Sequence, residues 1–244
     1  IQHNATPTGQ ASLRLRIDAG SLMETDAEQG VAHFLEHMAF KGSKHVPKGD
    51  MVEILERHGL AFGADTNAQT SWTQTVYQLD LPRTDEDTVD TSLMLLRDVA
   101  GELLLAPAAI DSERGVVLAE ERTRDTPGLR VFKSGLSFFL KDQLASRRLP
   151  IGKVQVIEHA DRPLLDGFYQ HYYQPERATI VAVGDFDVDA MEAKIKARFS
   201  DWKPAAPDGP DPDLGQPIPR GFQAKLTVEP GAPLSIQIYW VKPH

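Results

Sequence analysis

The 244-residue sequence contains no cysteine. Disulfides and thiolate metal sites are therefore excluded, any metal must be held by His, Asp or Glu, and the redox compartment stays open. No block of Lys or Arg occurs, and the formal net charge is −9. That balance argues against a nucleic-acid backbone or an anionic membrane surface as partner. Long apolar runs are missing too. The longest, SLMLLRDVAGELLLAPAAI, is broken by Arg97, Asp98 and Glu102, so no membrane-inserted span is expected. The sequence has no G-x-G-x-x-G fingerprint, no phosphate-cradling glycine loop and no G-x-S-x-G elbow. Dinucleotide, P-loop and α/β-hydrolase chemistry thus have no sequence basis. There is no initiating Met and no visible signal peptide. The chain opens on IQHNATPTGQ and runs straight into a strand, so a piece of something longer is expected.

What is present has an ordinary globular balance, with 41% apolar and 25% charged residues, and the chain is long enough to bury a core. ASLRLRID alternates Leu13, Leu15 and Ile17 against Ser12, Arg14 and Arg16, the pattern of a half-buried strand. Helices are expected near Val31–Phe40 and Gly49–His58, the second stopped by Gly59. LAFGADTNA and WTQTVYQLDLP read as two strands, with Gly63 permitting close backbone approach. Further helices are expected near Asp85–Leu105, Pro107–Arg124, Arg130–Ala145 and Pro163–Tyr173. ATIVAVGD reads as a fully buried strand, followed by a helix from an Asp cap over DVDAMEAKIKARF. Residues 203–220 hold six prolines in eighteen positions, an extended linker. FQAKLTV and LSIQIYWV then alternate like two strands. The organisation expected is a domain over 1–202, the linker over 203–220, and over 221–244 the first strands of a truncated second domain or strands borrowed by the first. The layout is α+β: a two-layer sandwich with a mostly antiparallel sheet flanked by helices.

The chemistry centres on HFLEH, residues 33–37. At about 100° per residue, His33 and His37 lie about 40° apart, with Glu36 about 60° to the other side, so all three leave one helix face. Two imidazoles one turn apart can grip an ion, and the adjacent carboxylate can reach a water on it. The order inverts H-E-x-x-H. Taken alone, the motif also fits a His pair on a surface helix. A zinc site needs a third ligand, and ERGVVLAEE supplies candidates. Glu113 and Glu120 are seven apart and share a face to within about 20°, while Glu121 points elsewhere. Their bland alternative is a solvated acidic face, but the apolar Val116–Ala119 between them argues for a packed helix. His45, His58, His159 and His171 have no ligand spacing and read as surface or packing residues. Tyr172 and Tyr173 read as core and interface aromatics.

GVAHFLEHMAFKGS, GADTNAQTSWTQTVYQLDLP, ERGVVLAEE and FYQHYYQPERATIVAVGDFD together resemble the pitrilysin/insulinase family of zinc metallopeptidases, the inverzincins, and most of all its long bacterial members. The likeness runs from about Leu13 to about Trp202. It implies the metallohydrolase fold shared by LuxS and the mitochondrial processing peptidases. It implies Zn²⁺ held by His33, His37 and Glu120, Glu36 as the general base on the zinc-bound water, and Glu113 as a companion supporting the site. It implies that Asn67 and Ala68, in the family's N-A-x-T strand, pair with an extended peptide. The gap from His37 to Glu120 is a few residues longer than usual in the family, with the extra length placed in PRTDEDTVD. The implied activity is endopeptidase cleavage of extended or unfolded chains. The implied partners are a peptide substrate and a C-terminal half, or partner subunit, closing the chamber, and the implied location is the periplasm. The family also contains non-catalytic subunits that act as structural or peptide-binding scaffolds. A metal hydrolase acting on a small molecule is a third reading.

Overall fold

The computed structural model describes residues 1–47 and 50–240. Its strands are β1 (Gln2–His3), β2 (Ala11–Ile17), β3 (Thr66–Thr70), β4 (Thr75–Leu81) and β5 (Ala178–Gly184). Its α-helices are α1 (Val31–Met38), α2 (Met51–Arg57), α3 (Glu86–Gly101), α4 (Pro107–Arg124), α5 (Pro127–Phe139), α6 (Val154–His159), α7 (Arg162–Tyr172) and α8 (Val188–Phe199). The strands form one sheet in the order β1-β5-β2-β4-β3. Only β1 and β5 run parallel; the other pairings are antiparallel. The expected α+β architecture is borne out.

The period-2 pattern of β2 decides which face is covered. Leu13, Leu15 and Ile17 are fully buried, and Leu13 and Leu15 pair with Leu79 and Tyr77 of β4 on the same face. Phe34, Leu35, Leu93, Leu96 and Phe168 join them in one continuous core beneath the helices. Arg14 and Arg16 stand on the opposite face, where Arg14 donates to Asp80 at 2.9 Å. The strand β5 is not the fully buried one expected. Only Ala182 and Gly184 are buried, and Val181 is exposed. Its odd-numbered side chains share the open face with Arg14 and Arg16, and an unbroken apolar run cannot reveal that one face lacks a cover.

Helix boundaries follow local chemistry that the sequence reading partly missed. The helix read as Arg130–Ala145 starts earlier, because the Thr126 hydroxyl caps Leu129 N–H and Pro127 opens the first turn. It ends at Phe139, and a 3₁₀ turn covers Leu144–Arg147. Helix α3 stops at Gly101, where the chain turns to bridge Leu103 to Ser43. The short helix α6 was not anticipated. The expected start of α2 at Gly49 lies outside the described residues. LAFGADTNA is mostly turn: only Thr66 onward is strand, and Gly63 sits at φ +85 in open space, so its backbone angle rather than close approach requires glycine.

Trp202 packs beside the end of α3, with the Arg97 guanidinium 5.7 Å from its ring centre. The proline-rich stretch beyond it is held to the folded body where Gly209 N–H donates to the His171 carbonyl at 2.9 Å and Leu144 N–H to the Leu214 carbonyl at 2.9 Å. No helix or strand occurs among the described residues after Phe199. The two strands expected after the proline-rich stretch therefore do not form there. Leu226, Leu234 and Ile236 are almost fully exposed. An alternating segment becomes a strand only where a neighbour supplies ladder hydrogen bonds, and no described residue does so.

Candidate metal centre

Helix α1 is short and is preceded by its cap residue Gly30, whose φ of +107 brings the chain sharply into the first turn. Its orphan N–H groups are not left bare. Glu24 Oε1 accepts from Gly30 N–H at 3.0 Å and from Ala32 N–H at 2.9 Å. Burial pushes this carboxyl up to about 8, against the lowering effect of the two backbone donors and Arg148. The helix then directs Phe34, Leu35 and Met38 into the core and turns His33, Glu36 and His37 toward α4 and β3.

Helix α4 brings two carboxylates to the same imidazole. Glu113 Oε1 lies 2.9 Å from His37 Nδ1, and Glu120 Oε2 lies 3.1 Å from His37 Nε2. The same Glu120 oxygen is 3.6 Å from His33 Nε2. One ligating atom from each of His33, His37 and Glu120 lies within 4.8 Å of the others. The seven-residue spacing thus places both glutamates on one face, as expected, but on opposite nitrogens of His37. Glu113 is buried and also accepts from Lys41 Nζ at 2.8 Å. Glu120 is paired through its other oxygen with Arg124 at 2.5 Å.

The charges explain themselves. Burial disfavours a charged His37, but Glu113, Glu36 and Glu120 outweigh it and leave His37 raised. The His33 imidazole is the largest influence on Glu120; against some desolvation, and with Arg124 and His37 adding to it, the carboxyl is held at about 2. Burial pushes Glu113 up, yet His37 and Lys41 leave it lowered. Both ring nitrogens of His37 face carboxylates. Two imidazoles and a carboxylate converging on one point are a zinc donor set, and the residues present fit that ion.

Glu36 is half-buried beside this cluster. Its Oε2 accepts from the Thr70 hydroxyl at 2.5 Å. Thr70 ends β3, the edge strand of the sheet. Asn67 and Ala68 lie on that edge, and Asn67 Oδ1 caps the Ala68 N–H at 2.8 Å. Because that N–H bonds to a side chain, it lies outside the β3–β4 ladder and faces the open edge. The structure therefore brings His33, His37, Glu113 and Glu120 together and ties Glu36 to β3 through Thr70, while Asn67 and Ala68 lie further along that edge strand. Sequence reasoning missed four supporting residues: Glu24, Lys41, Thr70 and Arg124. Thr70 and Lys41 sit inside quoted motifs, and Arg124 follows Glu120 at the i,i+4 spacing of a helical ion pair; nothing in the sequence marks Glu24. The other histidines have local partners: His45 Nδ1 meets Asp98 at 2.7 Å, His58 meets Thr88, and His159 and His171 meet backbone carbonyls. Tyr173 pairs with Tyr77, hydroxyl to hydroxyl, at 2.7 Å in the core.

A helix carrying H-x-x-E-H, met by a glutamate from a second helix on the covered side of an antiparallel sheet, is the arrangement of an inverted zincin. Residues 1–137 match the family described as insulinase (peptidase family M16), and residues 160–243 match the peptidase M16 inactive domain. The chain belongs to the insulinase family, peptidase family M16. It is 36% identical over 200 residues to the probable zinc protease PqqL of Escherichia coli strain K12, an alignment covering 82% of this chain and 22% of that protein. It is 34% identical over 192 residues to the human mitochondrial-processing peptidase subunit beta, covering 77% of this chain and 37% of that one. The first half of the periplasmic protease PqqL from Escherichia coli superposes with a TM-score of 0.81 at 34% identity, over 86% of this chain and 46% of that one. Pitrilysin, at 23% identity, TM-score 0.70, and 87% and 22% coverage, shares the fold. The chain spans about a fifth of the length of the PqqL relatives it matches. The expected resemblance and fold are borne out.

Proposed function

We propose that this chain is the metal-bearing part of a zinc endopeptidase acting on extended or unfolded peptide segments. The observation that carries the reading is the convergence of His33, His37 and Glu120 to within 4.8 Å, beside an edge strand able to accept a peptide. In this reading those three residues hold Zn²⁺. When bound, zinc supplies a Lewis acid that acidifies water and polarises a peptide carbonyl.

The chain's own residues do the rest. Glu36 Oε2, fixed by the Thr70 hydroxyl, takes the proton of the attacking water and returns it to the leaving amine. Glu113 holds His37 Nδ1, so that Nε2 is turned toward Glu120. Lys41 keeps Glu113 ionised for that task. A peptide adds to the open edge of β3 at Asn67 and Ala68, where backbone hydrogen bonds fix its direction independently of its sequence. The Asn67 amide must swing off the Ala68 N–H to admit it. A C-terminal half, or a partner subunit, closes the chamber over the peptide, in keeping with the much greater length of the relatives. A periplasmic location rests on the description of the PqqL structures as periplasmic proteases.

The test is metal content together with peptide cleavage by the intact protein. Zinc at stoichiometry, lost on mutating His33, with cleavage lost in Glu36→Gln, supports the reading. Zinc bound without any cleavage would favour the scaffold alternative. A metal seated on other residues would overturn the site.

A further inference from the structure

Glu120 presents its two carboxylate oxygens to two different partners. Oε2 faces the imidazoles, 3.1 Å from His37 Nε2 and 3.6 Å from His33 Nε2. Oε1 lies 2.5 Å from the Arg124 guanidinium, one helical turn further on. We propose that Arg124 is a positioning residue for the metal: by holding Oε1 it restricts Glu120 to one donor oxygen, keeps a coordination position free for water, and biases the site toward Zn²⁺ over Mn²⁺. The inference rests on the reading of His33, His37 and Glu120 as the ligand set and concerns a residue outside that set.

The plain alternative is a helix-surface ion pair. Glu and Arg at i,i+4 are common and stabilise a helix only slightly. Three observations go beyond it. The first is the choice of partner. Asp125 is next to Arg124 in the chain, but its carboxylate is taken by Arg130 at 2.9 Å, and Arg124 turns back to Glu120. The second is recurrence on the same helix. Glu113 is split in the same way, with Oε1 2.9 Å from His37 Nδ1 and Oε2 2.8 Å from Lys41 Nζ. Both carboxylates that face His37 thus have their outer oxygen on a cation. The third is torsional freedom. The last torsion of a glutamate side chain is broad and roughly two-fold, so nothing intrinsic decides whether one oxygen or both turn inward. The Glu120 side chain is 26% exposed, so packing does not lock it either. A guanidinium on Oε1 does, because its planar fork matches the edge of a carboxylate.

The number of donor oxygens matters to the ion. Two imidazole nitrogens and one carboxylate oxygen are three protein donors, the number a catalytic zinc site uses while its fourth tetrahedral position stays open. A carboxylate with both oxygens free is able to chelate, which raises the donor count and suits larger ions that prefer oxygen. Arg124 therefore acts on coordination number through Glu120, from a place where it is itself 57% exposed and its removal opens no cavity in the core.

The experiment uses the intact protein, stripped of metal and reloaded with Zn²⁺, Mn²⁺ or Co²⁺. Arg124→Ala removes the restraint, and Arg124→Lys keeps a cation there. Arg122→Ala is the control: it removes the same charge from the same helix, about 200° around from Glu120, at an exposed position. Zinc affinity is measured by competition with a chelator, manganese affinity in the same way, and coordination number from the Co²⁺ d–d absorption, which is strong for four donors and weaker for five or six. Arg124→Ala should weaken zinc by about 10 to 100-fold, weaken manganese less, and lower the cobalt absorption. Arg124→Lys should recover most of the affinity and the spectrum, and Arg122→Ala should match wild type. An Arg124→Ala protein with wild-type zinc affinity and cobalt spectrum would overturn the role of Arg124. So would Arg122→Ala reproducing both changes, since overall charge would then account for them. Either result leaves the ligand set standing. A wild-type cobalt spectrum that does not respond to His33→Ala would seat the metal elsewhere and overturn the ligand set and this role together.

Discussion

Replacing Glu24 by Gln should stabilise the folded chain, and by an amount that grows with pH. The carboxyl is almost wholly buried, and one oxygen satisfies the N-terminus of α1 while the other, Oε2, has no partner. Burial moves it from 4.5 to about 8. At about 1.4 kcal/mol per pH unit, that difference penalises the ionised form by about 5 kcal/mol. The sign follows from proton counting. Below pH 4.5 the group is protonated in both folded and unfolded chains, and its contribution is fully retained. Between 4.5 and 8 the unfolded chain gives up the proton while the folded chain keeps it, so stability falls as pH rises. Above 8 both are ionised and the loss is complete. Glutamine stays neutral throughout, keeps an oxygen for Gly30 and Ala32 N–H, and places its amide where Oε2 already lacks an acceptor. Against wild type, Glu24→Gln should be within about 1 kcal/mol at pH 5, more stable by about 3 kcal/mol at pH 7, and by about 5 kcal/mol at pH 9. Urea denaturation of both proteins at the three pH values measures this directly, and other titrating groups cancel in the difference. A pH-independent difference would refute the assignment of a buried, proton-holding carboxyl at the head of the helix.

Other outcomes follow from the same geometry. Glu36→Gln should retain stoichiometric zinc and lose about 10² to 10⁴-fold in turnover in the intact protein, checked by elemental analysis and initial rates. Glu120→Gln should lose zinc in competition with a chelator, whereas Glu113→Gln should weaken it by about 10 to 100-fold by freeing His37; the reverse order would exchange their roles. Gly152→Ala should lower the melting temperature, because an L residue at φ +76 costs about 1–2 kcal/mol even before its Cβ meets Gly30 Cα at 2.3 Å; an unchanged value would show the turn to be free to move. Tyr173→Phe leaves the Tyr77 hydroxyl buried without its partner and should destabilise by about 1–3 kcal/mol, read from the same denaturation curves.

The sequence by itself determined the elements whose signals are local. Alternation in ASLRLRI fixes β2 and its buried face, and cap residues such as Asp85, Asp161 and Asp187 fix the starts of helices, because these depend on side-chain period and on a hydroxyl or carboxylate a few atoms from the N–H groups it satisfies. HFLEH put His33, Glu36 and His37 on one face for the same reason, and the seven-residue spacing did so for Glu113 and Glu120. What those residues meet is a matter of tertiary structure. Which glutamate faces which nitrogen of His37 depends on how α4 crosses α1, a distance relation between segments 76 and 83 residues apart. The exposure of one face of β5, and the absence of a ladder for residues 222–240, depend on what does not pack against them, which no local pattern records. Glu24 is the sharpest case. In sequence it is an ordinary acidic residue in a polar loop. Only the folding of that loop onto α1 removes its water, raises its affinity for a proton and makes it the cap of the helix that carries the site.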